Sequence, residues 1–294
     1  MNYNKKTILD VDVAGKKILL RCDFNVPQDK ETGAITSDKR IVAALPTIRY
    51  LLEKKAAVIA CSHLGKPKGE WKAKLSLAPV AQRLSELLGQ EVIFAKDIVG
   101  EDAKAKAAAL QGGQIMLLEN LRFYDEEEEN DPEFAKELAS YGDIFINDAF
   151  GTIHRKHASN YGISKYLESG IGFLVEEELA KLAILNKPEK PFTIIMGGAK
   201  VADKIGVIDN LLPKCDKLLI GGGMAFTFLQ AEGYEIGNSI LDTDSLEYCQ
   251  KLLKEYPEKI VLPVDVACST EYKNATNRTE KDINEIDFHE MGLD

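Results

Sequence analysis

Residues 16–65 read KKILLRCDFNVPQDKETGAITSDKRIVAALPTIRYLLEKKAAVIACSHLG, and this stretch decides the fold. Its two ends, KKILLRCDFNV at 16–26 and AAVIACSHLG at 56–65, are short β-rich apolar runs that close on polar residues. Between them, SDKRIVAALPTIRYLLEKK at 37–55 spaces its apolar residues as a helix does, with Ser37 as the expected N-cap. Pro46 inside that pattern predicts a kink or a shorter helix. Strand, helix and strand in this order form a βαβ unit, whose crossover makes the two strands parallel.

The alternation continues in both directions. Further strands are expected in QEVIFA (90–95), GQIMLLENLRF (113–123), DIFINDAFG (143–151), FTIIMGGAK (192–200), DKLLIGGGM (216–224) and KIVLPVDVA (259–267). Helices are expected in SLAPVAQRLSELLG (76–89) and DPEFAKELASYG (131–142), with Gly89 and Gly142 as their terminal glycines. The acidic run DEEEEND at 125–131 reads as a solvated loop and helix start. The expected class is α/β, in two Rossmann-like lobes, each a mostly parallel sheet with helices on both faces. VEEELAKLAILNKPEKP at 175–191, a helical pattern closing on two prolines, reads as the connector, with Leu179, Leu182 and Leu185 as its apolar residues.

Composition narrows the function. The 294 residues are 45% hydrophobic, enough for two cores, and the net charge of −10 would repel nucleic acid or an anionic membrane. No segment reaches the length of a membrane span, and the start, MNYNKKTILDVD, has no signal-peptide core. Five widely spaced cysteines without a CxxC suit buried thiols in a reducing cytoplasm.

Against that acidic background, cations and hydrogen-bonding residues recur where apolar runs end. Asp23 and Asn25 follow the first run, His63 and Lys66 the second, Asn120 and Arg122 the fourth, and His154 to His157 the fifth, while Arg40 opens the first helix. The carboxyl ends of parallel strands share one crevice, so these residues are expected to converge on a small, hydroxylated polyanion. Asp23 as a turn cap, His63 as a packed histidine and Arg40 as a solvated side chain are the structural alternatives. His154 and His157 are three apart, but nothing at ligand spacing follows them, so no metal is expected there.

The second half carries a different signal. IIMGGAKVADKIG (194–206) and LLIGGGMAFTF (218–228) each put glycines where a strand turns into a helix. Bare peptide N–H groups and a helix N-terminus can approach phosphate there, with Lys200 and Lys204 adding charge, which predicts a nucleotide site. A GxxxxGK[ST] motif is absent, and Phe226 stands where a dinucleotide fingerprint needs its third glycine.

These motifs together closely resemble the phosphoglycerate kinase family, through RCDFNVP (21–27), SHLGKPKG (62–69), LLENLRF (117–123), NDAFGTIHRKHAS (147–159), GGAKVADKIGVI (197–208), GGGMAFTFL (221–229) and LPVDVA (262–267). The resemblance implies reversible phosphoryl transfer between 1,3-bisphosphoglycerate and ADP, giving 3-phosphoglycerate and ATP in glycolysis, with Mg2+ arriving on the nucleotide. It implies a cytoplasmic monomer in which residues 1–173 bind phosphoglycerate, 174–188 form a hinge helix and 189–294 belong to the nucleotide domain. By position, Asp23, Asn25, Arg40, His63, Lys66, Arg122 and Arg155 resemble the phosphoglycerate-binding residues. Gly198, Ala199, Lys200, Lys204 and Gly223 resemble the nucleotide-binding ones, and Arg40 and Lys200 the two catalytic cations that face each other across a cleft.

Two departures accompany the resemblance. Lys66 stands where the family commonly has arginine, which keeps charge but loses the bidentate fork. The family pattern also continues past MGLD, through a ribose-binding glutamate and a GGGD motif whose aspartate holds magnesium. The nucleotide lobe is therefore expected to be incomplete, with an exposed sheet edge, and phosphoglycerate binding is expected to outlast catalysis.

Overall fold

The computed structural model describes residues 5–29, 31–273 and 276–293, in two compact units, Met1–Lys181 and Leu182–Asp294. The first unit holds one six-stranded sheet, all of whose strand pairs are parallel. Its strands are β1 (Lys17–Arg21), β2 (Ala57–Cys61), β3 (Val92–Phe94), β4 (Ile115–Leu117), β5 (Ile144–Asn147) and β6 (Glu168–Ile171), in the order β3-β4-β2-β1-β5-β6. β6 was not expected: its segment opens on an exposed glutamate and includes a glycine, too short and polar to read as a strand.

Alternate residues of one strand enter opposite cores, which is why β1, β2 and β5 are apolar almost without interruption. Ile18 and Leu20 join a core completed by α1 (Lys39–Glu53) and α2 (Ala78–Leu88), through Ile41, Ile48, Leu51, Val80 and Leu84. Leu19 and Phe145 join the other core, covered by α3 (Glu101–Ala109) and α5 (Pro132–Ala139), through Ala103, Ala107, Phe134 and Leu138. Burying Phe134 or Leu138 is worth roughly 1.5–3 kcal/mol each.

Several local expectations are corrected. α1 starts at Lys39 with Asp38, not Ser37, at its N-cap position, and it runs through Pro46 as one helix. Gly89 does end α2 in a left-handed conformation, but Gly142 does another job: a Cβ there would lie 2.9 Å from the Leu19 backbone nitrogen. The acidic run forms α4 (Asp125–Glu129), yet Glu127 on it is fully buried rather than solvated.

In the second unit, β7 (Thr193–Gly197), β8 (Lys217–Gly221) and β9 (Ile260–Val261) form a parallel sheet in that order. It packs with α7 (Ile205–Leu211), α8 (Met224–Glu232) and α9 (Leu246–Glu255) through Ile208, Leu218, Ile220, Phe228 and Leu252. The expected strand 259–267 is in fact two, because β10 (Asp265–Ser269) leaves that sheet. It pairs antiparallel with β11 (Thr279–Asp282) and β12 (Met291–Gly292) around Val266, Cys268 and Ile283. β7 is an edge strand whose Ile195 is 80% exposed.

α6 (Phe173–Leu182) and the 3-10 turn Ala183–Asn186 carry the chain from one unit to the other. Asp148, directly after β5, fixes the helix start: its Oδ1 accepts from the backbone N–H of Leu174 at 2.9 Å and of Val175 at 3.3 Å. Leu182, expected on an apolar stripe, is 46% exposed.

Candidate functional site

The four central strands of the first unit, β4, β2, β1 and β5, are neighbours, so their C-terminal ends open side by side. A cavity of about 260 Å³ lies there, lined by Asp23, Asn25, Arg40, His63, Gly65, Lys66, Arg122, Gly151, Thr152 and Arg155. All seven residues expected to hold the polyanion line it. His154 does not: it lines a larger, more apolar cavity of about 600 Å³ with Lys156 and Tyr161, which shares only Arg155 with the first.

The loops that carry these residues are stapled by buried polar side chains. Asn120 Oδ1 accepts from the N–H groups of Leu64 and Arg122, both at 3.1 Å, while its Nδ2 donates to the carbonyls of Leu64 at 2.7 Å and Leu75 at 2.9 Å. Asn120, expected among the anion's contacts, thus ties the β2 and β4 loops together instead. Ser62 Oγ accepts from Phe24 N–H and donates to the Cys22 carbonyl, joining the β1 and β2 ends. Asn25 Oδ1 accepts from Gly65 N–H at 2.8 Å. Each staple satisfies groups that burial would otherwise leave unpaired at about 1–3 kcal/mol apiece.

Two of the cavity's arginines are held by carboxylate or carbonyl partners. Arg40 Nη1 donates to Asp23 Oδ2 at 2.6 Å, which aims the guanidinium while leaving its other donors free for a ligand. Arg122 is buried; it donates to the Gly65 carbonyl at 2.9 Å, and its Nε lies 3.3 Å from Glu128 without a hydrogen bond. Burial, against the pull of Glu128 and with the push of Arg155, lowers its pKa from the usual arginine value. Cations crowded this way, with an orphaned N–H among them, fit a bound anion.

His63 is 3% exposed, and burial together with Arg21, Arg122, Arg40 and Arg155 pushes its pKa down to about 2. Burial and the surrounding guanidinium groups thus disfavour the charged ring. His157 lies 3.8 Å from Glu127, but burial outweighs that carboxylate's attraction and lowers its pKa as well, which works against ion pairing.

Behind the cavity wall runs a chain of groups that sequence reading gave no role. Arg21, fully buried, donates through Nε to Ser159 Oγ at 2.8 Å, and Ser159 donates to the buried Glu127. The only signal for them was an arginine closing an apolar strand and one glutamate among several in an acidic run.

In the second unit the glycine turns meet backbone to backbone. Met224 N–H donates to the Gly198 carbonyl at 2.7 Å, and Gly222, at φ +63°, sits so close that a Cβ would lie 3.2 Å from Gly198 N. A Cβ on Gly223, the residue before α8, would approach Ile240 Cγ2 to 2.7 Å. Lys204 folds over Gly198, with its Cε 3.6 Å from where a Cβ would be. Lys200 is exposed, and Asp242 receives Ala202 N–H at 2.9 Å, which lowers its pKa, with Lys200 contributing. Gly198, Ala199 and Gly223 therefore lie together at the ends of β7 and β8, with both lysines following on the chain.

Comparison with known proteins agrees with this chemistry. The family model described as phosphoglycerate kinase matches residues 8–294. A phosphoglycerate kinase of Clostridium botulinum (strain Eklund 17B / Type B) is 54% identical over 301 residues, covering 100% of this chain and 75% of its own length. Among solved structures, the phosphoglycerate kinase from Coxiella burnetii matches with a TM-score of 0.85 at 39% identity, over 99% of this chain and 74% of that one. The enzyme from Pyrococcus horikoshii OT3 matches at 0.81 and 33% identity, over 97% and 73%.

Proposed function

This chain belongs to the phosphoglycerate kinase family, a phosphotransferase family of glycolysis, and from that premise we propose how its own residues divide the work. The reaction moves a phosphoryl group between the acyl phosphate of 1,3-bisphosphoglycerate and ADP, yielding 3-phosphoglycerate and ATP. Asp23, Asn25, Arg40, His63, Lys66, Arg122 and Arg155 hold the phosphoglycerate. The observation that carries this reading is their shared cavity, which at about 260 Å³ is just under the usual range for ligand sites and suits a small metabolite. Arginine forks and Lys66 grip phosphate and carboxylate, while Asp23 and Asn25 suit the hydroxyl.

Gly198, Ala199, Lys200, Lys204 and Gly223 hold the nucleotide, through peptide N–H groups and the start of α8. Mg2+ enters as part of the MgATP or MgADP substrate. Transfer proceeds through a transition state whose equatorial oxygens carry spread charge, and Arg40 and Lys200 neutralise it. In-line transfer requires the two ligands to meet, so residues 174–188, where the chain passes between units, are the hinge linking domains 1–173 and 189–294. Five buried free cysteines support a reducing cytoplasm, and the same reading takes the protein as a monomer.

Calorimetry with 3-phosphoglycerate tests the assignment. One site is expected, weakened at least about tenfold in Arg155→Ala, as for loss of a charged hydrogen bond. A chain that binds no 3-phosphoglycerate, or a variant that binds it equally well, would sink this division of labour.

A further inference from the structure

Arg21 ends β1 in the middle of the sheet, in register with Cys61 and Asn147, and has no exposed surface. It does not line the cavity. A charge placed there costs several kcal/mol of desolvation unless its donors and its charge are met. Its Nη1 donates to the Cys22 carbonyl, its Nε to Ser159 Oγ, and its Nη2 faces His63 Nδ1 at 3.3 Å. The counter-charge is Glu127, equally buried, which receives Ser159 N–H at 2.9 Å and Ser159 O–H at 2.5 Å. The serine hydroxyl accepts from the guanidinium and donates to the carboxylate, so its proton has one place to be.

A guanidinium has donors and no acceptor. The His63 nitrogen facing it must therefore offer a lone pair, which puts the ring proton on Nε2. We propose that the Glu127–Ser159–Arg21 relay is a positioning device that locks His63 as the Nε2–H tautomer, giving the cavity one uncharged donor whose direction is fixed. This rests on the reading that the cavity holds 3-phosphoglycerate. The charged groups around the ring are Arg21 and Asp23 from β1 and its loop, Arg40 from α1, Lys66 after β2, Arg122 after β4 and Arg155 after β5, while Glu127 and Glu128 on α4 reach it only through Ser159 and Arg122. The cations nearest the ring work with burial to keep a second proton off it. An imidazole held in one tautomer loses no affinity to the wrong one, as a freely tautomerising ring would.

Ring-nitrogen NMR of the 15N-histidine-labelled chain from pH 8 to 5 tests this without any ligand. His63, assigned with His63→Gln, is expected to show a protonated Nε2 and a bare Nδ1 throughout, with no titration. In Arg21→Met the ring is expected to titrate or mix tautomers, and Arg21→Lys to restore the lock in part. KM for 3-phosphoglycerate is expected to rise about tenfold in Arg21→Met, as for one lost hydrogen bond, while kcat changes less than about twofold. Taking the variant-to-wild-type ratio at each pH removes the titration of the substrate's own phosphate. If Arg21→Met does not fold, Ser159→Ala interrupts the same relay and is read the same way.

A wild-type His63 that carries its proton on Nδ1, or titrates in this range, overturns the proposal. So does an Arg21→Met ring that keeps its tautomer and pH independence. A locked tautomer in a chain that binds no 3-phosphoglycerate overturns the reading of the cavity and leaves the relay standing.

Discussion

In the proposed reading each unit carries its ligand at the C-terminal ends of its parallel strands, and the two differ in what lies there. In the first, long side chains supply the chemistry, and a buried polar network behind them supplies their aim. In the second, two lysines accompany bare backbone, and the turns are set by Gly222 and Gly223, where an added Cβ would crowd Gly198 N at 3.2 Å and Ile240 Cγ2 at 2.7 Å. The first arrangement holds a fixed excess of cationic groups and suits a compact anion. The second, as proposed, suits a ligand that lies against backbone. The lesson is that a side-chain site is vulnerable to loss of a distant partner, while a backbone site is vulnerable to gain of a single carbon.

The sharpest test of that contrast is Glu127→Gln. It leaves Arg21 buried without its counter-charge, and about 3–5 kcal/mol of stability is expected to go. Trp71, the single tryptophan, lies in the first unit and reads this unfolding by fluorescence in a denaturant titration. A loss under about 1 kcal/mol would show that the network is not what holds the cavity wall.

Next comes Arg40→Ala, expected to lower kcat by about 10²–10³, the usual cost of removing one donor to transition-state charge. Steady-state turnover of 3-phosphoglycerate with MgATP measures it, and a change confined to KM would reassign Arg40 to binding alone.

For the backbone site the corresponding change is Gly222→Val. The residue sits at φ +63° against Gly198, so a β-branched side chain is expected to cost about 1–3 kcal/mol. Nucleotide affinity should fall while calorimetric binding of 3-phosphoglycerate stays unchanged. Equal damage to both ligands would erase the distinction between the units.

Acid provides a smaller, graded effect. His63 resists protonation in the fold, and His157 takes up its proton at lower pH than usual, while both gain protons in the unfolded chain below about pH 6.5. The unfolded state then binds more protons, so stability falls as pH drops, by at most about 1.4 kcal/mol per pH unit for each ring. Trp71-monitored denaturation at pH 7.5 and 5.5 measures the slope, and a flat profile would mean that the rings are charged in the fold.

The smallest expected effect is Lys66→Arg. Lys66 is exposed at the cavity rim, so restoring a fork should improve 3-phosphoglycerate binding by less than about 1 kcal/mol.

What could be read from sequence follows the same division. Six of the seven cavity residues were legible because each follows an apolar run on the chain, and Arg40 because it opens the helix after the first of them. The glycine turns were legible because the strand-to-helix transition demands them. Glu127 was not, since among neighbouring carboxylates nothing local distinguishes the one that turns inward. Arg21 was overlooked for a related reason: its neighbours Leu20 and Cys22 face one core, and only the paired strand ends show that it points at Ser159 and His63. β6, β11 and β12 are short and partly polar, so pairing with a distant strand, not their own composition, makes them strands.

The uncharged state of His63 separates two responses to acidification. The imidazole takes up no second proton in the physiological range, so it adds no step of its own to the drift of affinity with pH, whereas the metabolite's phosphate changes charge near pH 6. Acid would thus lower the folded fraction through the unfolded chain's histidines while His63 adds no step of its own to the affinity of the molecules that stay folded.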